Sequence, residues 1–315
     1  MAHEIEQMFF VGETPWHGLG QRLIDAPDIK TAIVAAGLDW TVKTVPLFTA
    51  EGTEVAAKAT VRETDNKILG VVGDRYKPLQ NSEAFDFFNP FVQAGLVQLE
   101  TAGSLRDGQR VWILARIAEN SDVKIIGDDS VRKFLMLSNS HDGTLAVRVG
   151  FTPVRIVCAN TLAMAHNDQN SALIRIKHSS SVKTNLDSLR DTINIANRNF
   201  EMTAEKFRLM AQKQISRADL EKYVKIVLDI KTDAEGEIST RAQNQVDNII
   251  TLFDCGRGQD LPGVKGTIWA AYNAVTEYLT HDVTADADKR YSSLWFGANS
   301  TRNTLALEEA LKLAA

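Results

Sequence analysis

The chain has 315 residues, 44% hydrophobic and 24% charged, with a formal net charge of −5. That is the composition of a globular protein with room for one large domain or two ordinary ones. It argues against a general affinity for nucleic acid, against a membrane-spanning helix, and, with two cysteines, against a disulfide framework or a zinc site.

The N-terminus, Met-Ala-His-Glu-Ile-Glu-Gln, is acidic and lacks the pattern of a secretory signal. The expected setting is cytosolic, with Cys158 and Cys255 reduced inside packed structure. Residues 1–38 read as an N-terminal arm and a short helix. Phe9, Phe10 and Trp16 are expected to pack on something, in this subunit or the next. Asp28 can cap a helix over 29–37 that Gly37 closes.

Residues 39–180 read as a curved antiparallel sheet. Strands are predicted at 39–49, 54–63 and 67–77, with a hairpin turn at Asp65-Asn66. Asn81-Ser82-Glu83 opens a helix over 81–94 that Pro90 should bend or break. A meander follows at 96–104, 109–118, 122–127 and 131–138, with Arg106-Asp107-Gly108-Gln109 as a turn. Two short strands, 144–149 and 153–157, precede a helix that begins near Cys158. Residues 181–315 change to helical period, with helices at 182–212, 217–229, 237–254, 263–281 and 301–314. The fold class is therefore α+β.

Charge is unevenly spread. Residues 131–190 hold 8 Lys and Arg against 3 Asp and Glu, while residues 1–130 hold 12 against 19 and residues 191–315 hold 15 against 18. A basic centre between acidic flanks can form a local anion site. Its members are Arg132, Lys133, Arg148, Arg155, Arg175, Lys177, His178 and Lys183, with Arg75, Tyr76 and Lys77 alongside. Arg148 and Arg155 alternate with apolar neighbours, and Arg175 and Lys177 share one face. An arginine on an apolar strand needs an anion, either a carboxylate of the protein or an external phosphate. Both readings stay open here.

Chemistry is sparse. His141-Asp142-Gly143 could be a catalytic or metal pair, but Asp-Gly between strands is ordinary turn material. Cys158 and His166 are too far apart on one helix to form a nucleophile–base pair. Gly18-Leu19-Gly20 and Gly256-Arg257-Gly258 lack the setting of a nucleotide-binding loop. No catalytic residue, cofactor or metal is expected. A hydrolase centred on His141, Asp142 and His166 is a third alternative, to be revealed by metal-dependent cleavage.

Four ordered segments carry a family resemblance. They are Pro15-Trp16-His17-Gly18-Leu19-Gly20, Val154-Arg155-Ile156-Val157-Cys158-Ala159-Asn160-Thr161-Leu162, the run from Gly266 to Tyr278, and Leu294-Trp295-Phe296-Gly297. Together they resemble the phage and plasmid proteins called domain of unknown function 932. The resemblance implies a mobile-element setting, not a reaction. At the level of architecture the meander with its early helix is similar to the core of Rad52/Redβ-type single-strand annealing proteins. That second resemblance implies a ring or filament of subunits holding single-stranded DNA in a basic groove, with its bases free to pair or resting on Tyr76 or Trp112. Arg148, Arg155, Arg175 and Lys177 would hold phosphates. Trp16, the N-terminal arm and the C-terminal helix would join subunits. The alternative is a protein-interaction or assembly module that acts on a host defence or replication factor without binding nucleic acid.

Overall fold

A computed structural model of the chain describes residues 5–12, 20–118, 122–155, 160–161, 186–232, 237–283, 293–294 and 297–315. The chain divides into two compact units. The first comprises residues 1–119, 134–150 and 172–194; the second comprises 120–133, 151–171 and 195–315.

The first unit holds two sheets. In the larger, strands β1 (Ile5–Val11), β2 (Gln21–Leu23), β6 (Val97–Leu105), β7 (Arg110–Ile117) and the end of β9 (Asp129–Ser140) lie in the order β9-β7-β6-β1-β2. Neighbours are antiparallel except β1 and β2, which run parallel. The smaller sheet is the antiparallel run β3 (Val42–Phe48), β4 (Glu54–Arg62) and β5 (Ile68–Gly73). The N-terminal segment, expected as an arm, thus supplies a strand of the main sheet. Phe9 is fully buried and Phe10 is 5% exposed, so these two pack within their own subunit and are not free for oligomer contacts. Trp16 lies outside the described residues.

Close strand approach explains the small residue in β6. A Cβ added at Gly103 would sit 2.6 Å from the Gln7 carbonyl oxygen, the Met8 Cβ and the Trp112 ring, so only glycine lets β1 and β7 flank it. Helix α1 (Ile29–Ala35) starts as expected, with the Asp28 carboxylate accepting from Thr31 N–H at 2.8 Å. The helix expected over 81–94 is broken into α2 (Asn81–Asp86) and α3 (Asn89–Gln93), with Pro90 in the first turn of α3, where a missing N–H does no harm. Phe85, Phe88 and Phe91 go into the core.

The second unit is mostly helical. It contains the hairpin of β8 (Asp122–Ile126) with the start of β9, and most of α4 (Leu186–Ala211). It also contains α5 (Arg217–Val227), α6 (Thr240–Cys255), α7 (Ile268–Glu277), a π-turn at Tyr278–Asp282 and α8 (Ala298–Ala314). Ser216, Ser239 and Thr267 cap α5, α6 and α7 with side-chain oxygens. Helix α7 is buried on every side, which its near-continuous apolar sequence permits. Phe207, Trp269 and Tyr272 form its aromatic centre, with ring centroids 4.9–6.0 Å apart. The Trp269 indole donates to the Asp129 carboxylate at 2.8 Å, so this buried acidic group meets a donor.

Two expectations fail at the edge of the meander. The strands read at 144–149 and 153–157 are one strand, β10 (Arg148–Arg155), which runs through Pro153. The helix expected near Cys158 is not there at its second residue pair, because Asn160–Thr161 form β11 and pair with Val154 and Arg155. Cys255 is exposed at the end of α6 rather than buried, and Cys158 lies outside the described residues.

Candidate functional site

The segment 76–81 is stitched to the end of β9 residue by residue. Asn139 donates to the Leu79 carbonyl at 3.3 Å, and the Tyr76 hydroxyl donates to the Ser140 carbonyl at 2.8 Å. His141 Nε2 lies 3.0 Å from the Asn81 side-chain oxygen, and Asn81 in turn donates to the Leu38 carbonyl at 3.1 Å. The His141 peptide is held at both ends: its N–H bonds Gln109 at 2.7 Å, and its carbonyl accepts from the Thr60 hydroxyl at 2.7 Å. Trp40 meets the imidazole edge-on at 5.3 Å, and the Arg62 guanidinium, itself bound by Asp65, lies 5.2 Å from the Trp40 ring centre.

This geometry disposes of His141-Asp142 as exposed chemistry. His141 is fully buried, and burial depresses its pKa to about 4, with the Asp142 charge pulling weakly the other way. A neutral, buried imidazole at the core of a turn is a structural post. Asp142 accepts from the Thr144 N–H at 2.9 Å and its hydroxyl at 2.6 Å, the bonding of an Asx turn. Leu145 closes the turn through its N–H, which donates to the Ser140 hydroxyl at 2.9 Å. His166 lies outside the described residues. Among the described residues no three His, Cys, Asp or Glu converge on a metal position, and no helix is long and apolar enough to cross a membrane.

What the stitched corner displays is two cations, with the Asp74 carboxylate exposed beside them. Arg75 and Lys77 are exposed on either side of the half-buried Tyr76, whose phenol is pushed up by burial and by the Asp142 charge. Arg148 opens β10 three residues beyond Leu145. The other candidates separate. Arg132 grips Asp122 across the β8–β9 hairpin with two bonds of 2.8 and 3.1 Å, so its anion is a carboxylate of the same hairpin. Lys133 is only 2% exposed: it donates to the Asn197 side chain at 3.1 Å, sits 3.8 Å from Glu201 and lies over the Phe200 ring. It cannot reach a phosphate backbone. Trp112 is 3% exposed and cannot stack a base.

Arg148 and Arg155, expected on neighbouring strands, lie on one strand seven residues apart. An odd separation sends the two positions to opposite faces of a regular pleat, so they do not form one row. Their side chains, and Arg175, Lys177, His178 and Lys183 altogether, lie outside the described residues. The Asn81–His141 bond was not anticipated. Asn81 reads as a helix opener, whereas Gln80 is the cap, in a reciprocal box with Glu83, which frees the Asn81 side chain to turn inward.

No curated protein and no solved structure matches the chain. The likeness to annealing-protein cores therefore remains an architectural expectation. The family comparison is positive. It spans residues 68–304, about three quarters of the chain, and takes in three of the four segments singled out above. The chain belongs to the family described as domain of unknown function (DUF932).

Proposed function

We propose that this chain is a non-catalytic phage or plasmid protein that assembles into oligomers in the cytoplasm of its bacterial host and holds single-stranded DNA for annealing. The observation that carries the reading is the cationic corner. Arg75 and Lys77 project from a loop fixed to the end of a meander by the Tyr76–Ser140 and Leu79–Asn139 bonds. Cations on a fixed backbone can follow phosphates without ordering a loop first, and exposed bases remain free to pair. Arg148, Arg155, Arg175 and Lys177 are the further phosphate contacts of this reading. Annealing needs no nucleotide cofactor, because base pairing itself releases the free energy.

Titration of a labelled single-stranded oligonucleotide at low and moderate salt tests the reading. Binding should weaken with salt. It should fall in Arg75→Glu/Lys77→Glu and in Arg148→Glu/Arg155→Glu, and stay unchanged in Lys133→Met, whose charge is internal. No binding at low salt, or full affinity in both double variants, refutes it.

A second reading, an assembly module acting on a host protein, is favoured by one specific feature. The outer face of the small sheet leaves Val45, Val55, Ile68 and Val71 exposed at 37%, 42%, 64% and 61%. Register puts Val45, Ala59 and Val71 in one row. A bare aliphatic sheet face is a protein-docking surface more than a nucleic-acid one. That reading predicts no oligonucleotide binding, and a loss of partner capture in Val71→Lys.

A further inference from the structure

Helix α4 carries two apolar stripes. Phe200, Ala204, Phe207 and Met210 face the core of the second unit. On the opposite side Ile195, Met202 and Leu209 are exposed at 42%, 61% and 40%. At about 100° per residue, Met202 lies roughly 200° around the helix from Phe200. A seven-residue step falls only about 20° short of two turns, so the three side chains form one slowly winding line. A solvated helix face gains nothing from an aliphatic group every second turn. A left-handed pair of helices buries such a line.

The flanking charges choose the partner. Arg198 and Glu205 are exposed on one side of the line, one turn before and one turn after Met202, and Asn199 and Lys206 flank it on the other side. Among the described residues neither Arg198 nor Glu205 forms an ion pair, whereas Glu201 and Arg208, further round, lie 3.9 Å apart.

We propose that this line is the docking site for a second copy of the chain, the two α4 helices lying antiparallel about a twofold axis through Met202. The symmetry keeps each flank facing its own counterpart. It sets Met202 against itself, Ile195 against Leu209 of the second copy, and Arg198 level with Glu205 of the second copy, twice over. A parallel pair would instead set Glu205 level with Lys206 of the second copy, leave Arg198 opposite Asn199, and bring Ile195 against itself, so the cross-links and the Arg198 variant below separate the two arrangements. This gives a geometry to the assembly half of the function proposed above and rests on it.

Sedimentation equilibrium and cysteine cross-linking of the full chain in a Cys158→Ser/Cys255→Ser background test the arrangement. Met202→Cys should cross-link to itself on oxidation. Ile195→Cys should not, but should cross-link when mixed with Leu209→Cys. Arg198→Glu should weaken association by at least about tenfold, because it sets like charges opposite each other. Adding Glu205→Arg should restore it, which loss of folding could not do. A monomer at all concentrations overturns the proposal. So does an oligomer that ignores Arg198→Glu and gives no cross-link. Oligonucleotide titration of the same samples separates the two claims: a dimer of this geometry that binds no DNA sustains the interface and removes the annealing function.

Discussion

Acidification should weaken the first unit through one residue. His141 is neutral in the fold, with a pKa near 4, against 6.5 for an exposed imidazole. Below pH 6.5 the unfolded chain takes up a proton that the folded chain refuses, so stability falls with pH until the folded group also titrates. The full effect is about 3 kcal/mol, from a gap of about 2.5 pH units at 1.36 kcal/mol each. It is complete near pH 4, about 1.4 kcal/mol has gone by pH 5.5, and none is lost above pH 7. The cause is geometric: the ring is enclosed by Trp40 and Asn81, and its remaining nitrogen, Nδ1, is buried without a hydrogen-bond partner. Urea unfolding followed by tryptophan fluorescence, with Trp40 beside the titrating ring, should give a midpoint that drops between pH 7 and 4.5. His141→Gln should start less stable and lose this slope, leaving only the slope from carboxylates such as Asp65, which its bond to Arg62 holds down to about 2. If the difference between the two proteins does not change with pH, the buried-imidazole account is wrong.

Trp269→Phe keeps the ring but removes the donor to the buried Asp129 carboxylate, and should cost the second unit about 2–3 kcal/mol, measured by thermal unfolding. Gly256→Ala should cost about 1–3 kcal/mol in the same assay. Its new Cβ would lie 2.4 Å from the Leu252 carbonyl oxygen and 2.7 Å from the Glu277 carboxylate, so backbone must shift. Near-wild-type unfolding in either variant would show that the surrounding helices repack more freely than their burial implies.

Local signals in the sequence carried most of the fold. Asp28 and Gly37 bound α1, Pro90 split the following helix, and Asn66 and Gly108 turned the hairpins at positive φ. What escaped was long-range or two-sided. Strand β1 reads as an aromatic arm because its partner β6 lies some ninety residues away, and only that pairing explains Phe9 and Phe10. Strand β10 was cut in two because Gly150 and Pro153 are usual strand breakers, yet the strand runs through both. Among the site residues, Arg132 could have been resolved: Asp122 stands ten residues before it across a Gly127 turn, and counting the hairpin register pairs them. Lys133 could not, since nothing local announces Asn197 and Phe200 some sixty residues on. The basic stretch was legible as composition, but not as a surface.

The division of the chain into units makes it awkward to dissect. Each unit is assembled from three separate stretches, and strands β9 and β10 begin in one and end in the other. A cut near residue 180, where helical period takes over, would leave every strand on the N-terminal product and strip the second unit of its β8–β9 hairpin. Trimming to the family-matched residues 68–304 would start at the first residue of β5 and discard β4, with which it forms its ladder. Such a fragment would display Leu69 and Val72, both buried in the intact chain, to solvent. Poor behaviour of truncated products would then report on where they were cut, and only the intact chain offers a fair test of what this protein binds.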